Sequence, residues 1–248
     1  MGIGEAISAL FVAEGATVVM ASRELARVEA ARLRIGCAER TLAVRCDVCA
    51  SGDTSALAAS TLDRFGRIDV WVNNAGFAQV DSVERMDMEV CRRMFDTNLF
   101  GAIGAMQAVI PVMKRQGSGS IINISSVAGS IAVPYMAGYG ATKHALNCIT
   151  RAARLEVGRH GVHIINVCPG YVNTNFSANA VRGQQSRAVP ASIKGAIGPE
   201  RVARAVLSAY VHNKREVVVP WRDYLVIGLY RIMPRVFEWG MMKVMKRG

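Results

Sequence analysis

Apolar positions along this chain change period repeatedly, from every third or fourth residue to short unbroken runs and back. The helical spacing predicts helices over 6–13, 24–35, 55–65, 90–114, 138–158 and 200–210, with Pro111 near the end of the longest. Between them, β-branched and apolar runs predict strands over 17–21, 41–45, 70–72, 120–124, 163–167 and 216–219. Short apolar strands alternating with helices imply an α/β fold, a parallel sheet with helices on both faces. No repeat, low-complexity tract or linker divides the pattern, so one domain is expected over 1–248, with an apolar, basic extension over about 224–248.

In such sheets ligands bind beyond the carboxyl ends of the strands. The residues there are distinctive. Gly2-Ile3-Gly4 opens the first helix, and Ser22-Arg23 and Asp47-Val48 follow the first two strands. Asn73-Asn74-Ala75-Gly76, Ser125-Ser126 and Pro169-Gly170 follow the next three. Turns use Gly, Asn, Ser and Asp in any case. Six such sites on one sheet edge exceed what turns require.

Tyr139-Gly140-Ala141-Thr142-Lys143 spells Tyr-x-x-x-Lys on the 138–158 helix. Residues four apart share a helix face, so Lys143 can hold its ammonium near the Tyr139 hydroxyl. A free tyrosine titrates at about 10. A neighbouring cation favours the phenolate, so Lys143 is expected to lower that value. With a serine hydroxyl alongside, the pair suits proton transfer at a carbonyl or alcohol oxygen.

Asn73-Asn74-Ala75-Gly76, Asn98, Ser126, Tyr139, Lys143 and Pro169-Gly170, in this order, make the chain resemble the short-chain dehydrogenase/reductase superfamily. Ser126 precedes Tyr139 by thirteen positions, the family's usual spacing. The likeness runs from Gly2 to about position 220. It implies a Rossmann-like doubly wound sheet, a nicotinamide cofactor and reversible oxidation of alcohols to carbonyls. By this resemblance Tyr139 is the general acid–base, Lys143 lowers its pKa and holds the nicotinamide ribose, and Ser126 bonds the substrate oxygen. Asn98 holds a water that relays protons to Lys143. Asp47 bonds the adenine amine with the Val48 backbone beside it, and Asn74, Ala75 and Gly76 pack on the adenosine side. Pro169, Gly170 and Val172 join the cofactor site, and Thr174 contacts the nicotinamide carboxamide. NAD users in the family commonly carry an acid after the second strand. Here Ser22 and Arg23 stand at that place, and Arg23 can pair with a 2′-phosphate, which favours NADP(H) over NAD(H).

One departure is marked. The family's Thr-Gly-x-x-x-Gly-x-Gly loop follows a first strand, and this chain keeps only Gly2-Ile3-Gly4 of it. The expectation is an N-terminally truncated sheet, with Met1 an internal methionine and a gap between the 17–21 and 70–72 strands. The alternative to an enzyme is a non-catalytic remnant or binding protein on the same fold.

Composition adds bounds. Of 248 residues, 51% are hydrophobic and 20% charged, enough for a buried core. Six scattered cysteines fit reduced thiols and a cytoplasmic setting. Cys46-Asp47-Val48-Cys49 has no second pair and no histidine nearby, so packing is preferred to zinc or redox use and no metal is expected. The net charge of +11 is spread along the chain without an aromatic-interleaved basic cluster, which argues against nucleic acid. A small carbonyl or alcohol substrate and a homodimer or homotetramer are the expected partners.

The segment 173–199, with Phe176, Asn179, Ala180, Val189, Pro190 and Ile193, reads as a lid without a head-group signature. Together with the tail it resembles, weakly, the hydroxysteroid-dehydrogenase-like, membrane-associated branch, which implies a hydrophobic or lipid-like carbonyl. Between positions 231 and 247 five cations accompany one acid, Glu238, among apolar residues, and Pro234 and Gly240 are expected to interrupt the helix. Two readings stand: a helix lying in a membrane interface, or one docking on its own subunit or a partner. Burial of Phe237 and Trp239 decides between them.

Overall fold

A computed structural model of the chain describes residues 2–183 and 195–245. Val189, Pro190 and Ile193 of the expected lid, and Lys246 and Arg247 of the tail, lie outside these residues. In chain order the elements are α1 (Ile3–Ala13), β1 (Val18–Ser22), α2 (Leu25–Ile35), β2 (Thr41–Arg45), α3 (Asp53–Phe65) and β3 (Val70–Asn73). Next come β4 (Gln79–Val80), α4 (Met88–Phe95), a π turn (Asp96–Phe100), α5 (Gly101–Gln116), β5 (Gly119–Ile124) and α6 (Ala137–Val157). The remainder are β6 (Val162–Pro169), β7 (Val181–Arg182), α7 (Pro199–Val211), β8 (Glu216–Val219), α8 (Asp223–Ile232) and α9 (Pro234–Met245).

Four strands form the main sheet, parallel throughout, in the order β3-β5-β6-β8. Successive residues on a strand point to opposite faces, and the core follows that alternation. Ile122 and Ile165 pack against Ala6 and Ile7 of α1 and Val202 and Val206 of α7. Their neighbours Ile121 and Ile164 pack against Met106, Val109 and Met113 of α5 and Val157 of α6. Strands apolar on both faces need helices on both faces, and this sheet has them. The fold is the Rossmann-like α/β layer expected from the sequence.

Sequence explains the local boundaries. Asp87 accepts from the N–H groups of Glu89 (2.8 Å) and Val90 (3.1 Å) and so starts α4. Gly117 ends α5 at φ 68°, a left-handed conformation that glycine adopts without strain.

The sheet is divided. Among the described residues β1 and β2 pair only with each other, and no ladder joins β1 to β3. The division falls where a gap was expected. Two features depart from expectation. β4 and β7 form a short parallel pair, Gln79 with Val181 and Val80 with Arg182, which returns the 170s loop to the sheet edge. α9 also runs unbroken through Gly240. Met233 alone separates α8 from α9, and Pro234 stands at the first position of α9, where a missing N–H matters least.

The tail docks by one stripe. Ile227 and Phe237 (8% exposed) are buried against Val127, Ile131, Cys168 and Val218. Tyr230 meets Phe237 edge-on at 5.1 Å between centroids. Trp239 faces outward with Lys243 Nζ 3.6 Å from its ring centroid. The two residues chosen to decide between docking and membrane contact therefore point opposite ways.

Candidate active site

Ser126, Tyr139, Lys143 and Asn98 come together where β5 and β6 end. Tyr139 and Lys143 lie one turn apart on the buried face of α6. Lys143 Nζ donates to the Ile124 carbonyl at the end of β5 (2.9 Å) and lies 5.8 Å from the Tyr139 ring centroid. Ser126 Oγ accepts from the Ala128 N–H (3.1 Å) and donates to the Pro169 carbonyl at the end of β6 (3.4 Å).

The electrostatics correct one expectation. Lys143 does not lower the Tyr139 pKa. Burial pushes the phenol up to about 12, against a hydrogen bond with Ser126 that works to lower it. Burial likewise brings the Lys143 ammonium down to about 8. Both groups are driven toward neutrality because removing a charge from water costs more than their partners return. Cys168, buried beside them, is also pushed up to about 12 by burial and stays a thiol.

Asn98 occupies the π turn between α4 and α5 and is 1% exposed. There the Gly101 N–H reaches back five residues to the Asp96 carbonyl. Such one-turn widenings are frequent at functional sites. The Asn98 amide is held on both sides: Nδ2 donates to the Phe77 carbonyl (2.9 Å) and to Thr142 Oγ1 (3.1 Å), and Oδ1 accepts from the Phe77 N–H (3.0 Å). It thereby ties the loop after β3 to α6. Gly76 sits at this junction. A methyl there would lie 3.0 Å from Asn98 Oδ1 and 3.7 Å from Lys143 Nζ.

The other expected positions line the same edge. A methyl at Gly4 would come within 2.7 Å of Asn74 Nδ2, so the start of α1 and the loop after β3 touch. Gly2 faces open space, whereas Ile3 turns its side chain into the core and offers only backbone to a ligand. Asn74 and Ala75 are exposed. The Ser22 carbonyl accepts from the Cys46 N–H (2.9 Å), which sets the ends of β1 and β2 side by side. Asp47 Oδ1 accepts from the Cys49 N–H (3.0 Å), and Val48 packs on Gly101. Arg23 is exposed and makes no ion pair among the described residues. Gly170 donates its N–H to the Val219 carbonyl (2.8 Å), and the Asp223 carboxylate lies against it. Val172 bridges to Ile197. Thr174 is half-buried, and its hydroxyl accepts from the Phe176 N–H (3.2 Å).

Three features were not legible in the motifs. The Phe176 ring stacks on Tyr139, 5.6 Å between centroids at 58°. Beside it Ala78, Val80, Met136, Ala180 and Arg182 line a cavity of about 20 Å³. Ser125, next to Ser126 in sequence, points away: its Oγ donates to Asn147 Oδ1 (2.5 Å). Asn147 Nδ2 then donates to the Gly129 carbonyl (2.7 Å), so the loop carrying Ser126 is gripped from both sides. Thr142, inside the Tyr-x-x-x-Lys motif, was the available signal for the Asn98 brace.

Known proteins resemble this chain in sequence and in fold. A family model described as short chain dehydrogenase matches residues 1–185. The chain is 33% identical over 229 residues to dehydrogenase/reductase SDR family member 7B of Danio rerio, covering 88% of this chain and 74% of that protein. A short-chain dehydrogenase from Streptomyces avermitilis superposes with a TM-score of 0.82 at 28% identity, over 98% of this chain and 94% of the other. A short chain dehydrogenase from Burkholderia cenocepacia in complex with NADP gives 0.79 at 26% identity, over 97% and 92%. Sequence and fold agree, and the chain belongs to the short-chain dehydrogenase/reductase family of oxidoreductases.

Proposed function

We propose that this protein transfers hydride between NADP(H) and an apolar carbonyl or secondary alcohol. The observation that carries the reading is a buried Tyr139 one helical turn from the buried Lys143 on α6, with Ser126 beside them at the end of β5. When bound, the nicotinamide supplies or accepts the hydride. Tyr139 holds a proton through neutral pH and delivers it to the carbonyl oxygen during reduction. Ser126 hydrogen-bonds the same oxygen and offsets charge developing there. Lys143, charged below pH about 8, binds the ribose hydroxyls. Asn98 holds the loop after β3 against α6. Both Nδ2 hydrogens are engaged, and Oδ1, with one bond accepted, keeps a lone pair for a relay water.

The residues present fit a dinucleotide. Glycines at 2, 4 and 76 let the backbone approach closely, and α1 presents its N-terminus for the pyrophosphate. The ends of β1 and β2 place Ser22, Arg23, Asp47 and Val48 on the adenosine side, and Asn74, Ala75 and Gly76 flank it. Pro169, Gly170, Val172 and Thr174 serve the nicotinamide end. An exposed Arg23, with no acid at Ser22, supports NADP(H). The solved relative that binds NADP is in keeping with this. The apolar lining around Phe176 supports an apolar substrate. The family relationship supports a homo-oligomer.

Turnover of NADPH and NADH against a panel of ketones and aldehydes tests the reading. Tyr139→Phe should remove most turnover and leave NADPH affinity near normal. Substantial residual activity, or a lower Michaelis constant for NADH, would overturn the corresponding assignment.

A further inference from the structure

We propose that the outward face of α8 and α9 binds an anionic lipid bilayer surface. The inner stripe of this helical pair is already satisfied against the domain through Ile227 and Phe237. Docking therefore accounts for one side only and fixes where the other side points. On that other side Leu225, Leu229 and Ile232 recur at helical spacing along α8, 65%, 41% and 82% exposed. Val236, Trp239 and Met242 continue the exposure along α9. Trp221 precedes them, also exposed. A contiguous apolar surface of this kind marks an interaction site.

Charge selects the occupant. Arg235 and Lys243 stand on this side, against Glu238, while Arg222 at the start of α8 donates to the Gly195 carbonyl (2.8 Å) and Arg231 turns toward α6. Asp223 is turned inward against Gly170, which leaves Glu238 as the exposed acid. A second copy meeting this face about a two-fold axis would bring like cations together in a chain of net charge +11. An anionic surface instead meets the cations with opposite charge, at about 1 kcal/mol for each one near the surface. Two of the chain's three tryptophans, Trp221 and Trp239, lie here, and tryptophan favours the bilayer–water boundary. Lys243 over the Trp239 ring joins an apolar plate to a cation at the depth where acyl chains give way to headgroups. Among the described residues no helix is long and apolar enough to cross a membrane, so the pair lies in the interface.

The test is co-sedimentation of the full chain with vesicles of phosphatidylcholine, with and without phosphatidylserine. Binding is expected only, or at least roughly tenfold more strongly, on the phosphatidylserine vesicles. It should weaken by a similar factor in high salt. Leu225→Ser with Ile232→Ser, and separately Trp239→Ser, should each reduce it, with thermal unfolding unchanged because these side chains have no partner in the core. Arg235→Glu with Lys243→Glu should abolish it. Equal binding to both vesicle types, or binding that survives the outward substitutions, overturns the proposal. So does a shift from dimer to monomer in the Leu225/Ile232 variant with vesicle binding intact, which would assign the face to a second copy.

Discussion

Tyr139 and Lys143 give this site an asymmetric response to pH. Tyr139, held at about 12, keeps its proton across the working range, so reduction does not lack an acid as pH rises. Lys143, held at about 8, is an ammonium below that pH and an amine above it. The charge-assisted hydrogen bonds proposed from it to a ribose would therefore be present at low pH and lost as pH rises through 8. Such bonds contribute roughly 1.5–3 kcal/mol, about ten- to hundredfold in affinity. NADPH binding measured in Tyr139→Phe should weaken above pH 8 with one titrating group. The same limb persisting in Lys143→Met would show that another residue causes it. Phe176 acts at the same scale. Its ring lies tilted against Tyr139, so a carbonyl approaching the hydroxyl from this side competes with it. An aromatic pair of this kind is worth about 0.5–1.5 kcal/mol. Phe176→Ala should lower KM for bulky ketones by up to roughly tenfold while kcat holds. An unchanged or higher KM would show that the ring serves the substrate instead of competing with it.

The π turn at Asp96–Phe100 is the element that assembles the site. Asn98 there satisfies both backbone groups of Phe77 and reaches Thr142, so one buried side chain joins α4–α5, the loop after β3 and α6. Asn98→Ala leaves those groups without partners, at about 1–3 kcal/mol each. The variant should melt several degrees lower and lose kcat more than cofactor affinity. A stable variant with normal turnover would remove the turn from the mechanism. The strands were readable because each is a short apolar run between breakers, and the observed β2 and β8 match the expected 41–45 and 216–219. The π turn was not readable. A widening by one residue barely changes the apolar repeat, so 90–114 looks like one helix. β4 and β7 were missed because two-residue pairing leaves no periodic trace. The Tyr, Lys and Ser spacing reported which groups meet, but not their titration. Burial sets that, and burial comes from distant segments such as the one carrying Phe176.

At the scale of the whole molecule, the divided sheet matters most. β1, β2 and α2 form a small layer with its own core of Met20, Val28 and Ala31. It joins the rest through helix packing, the paired hydrogen bonds from Arg34 to Glu5 (2.8 and 3.1 Å) and Val48 on Gly101, without a strand ladder to β3. Elements so attached open independently of the main core. Amide hydrogens of β1 and β2 should therefore exchange well before those of β5 and β6. The proposed dinucleotide contacts fall on both sides of the division: Ser22, Arg23 and Asp47 on one, Asn74 and Lys143 on the other. A ligand that requires both layers in register acts as a clasp across a seam that the backbone leaves open. At a hundredfold excess over Kd it adds about 2.7 kcal/mol against any opening that breaks the site. Nearly all of that gain should appear as slowed exchange in β1 and β2, with β5 and β6 unchanged. A bound dinucleotide would then hold the two layers together as well as take part in the reaction.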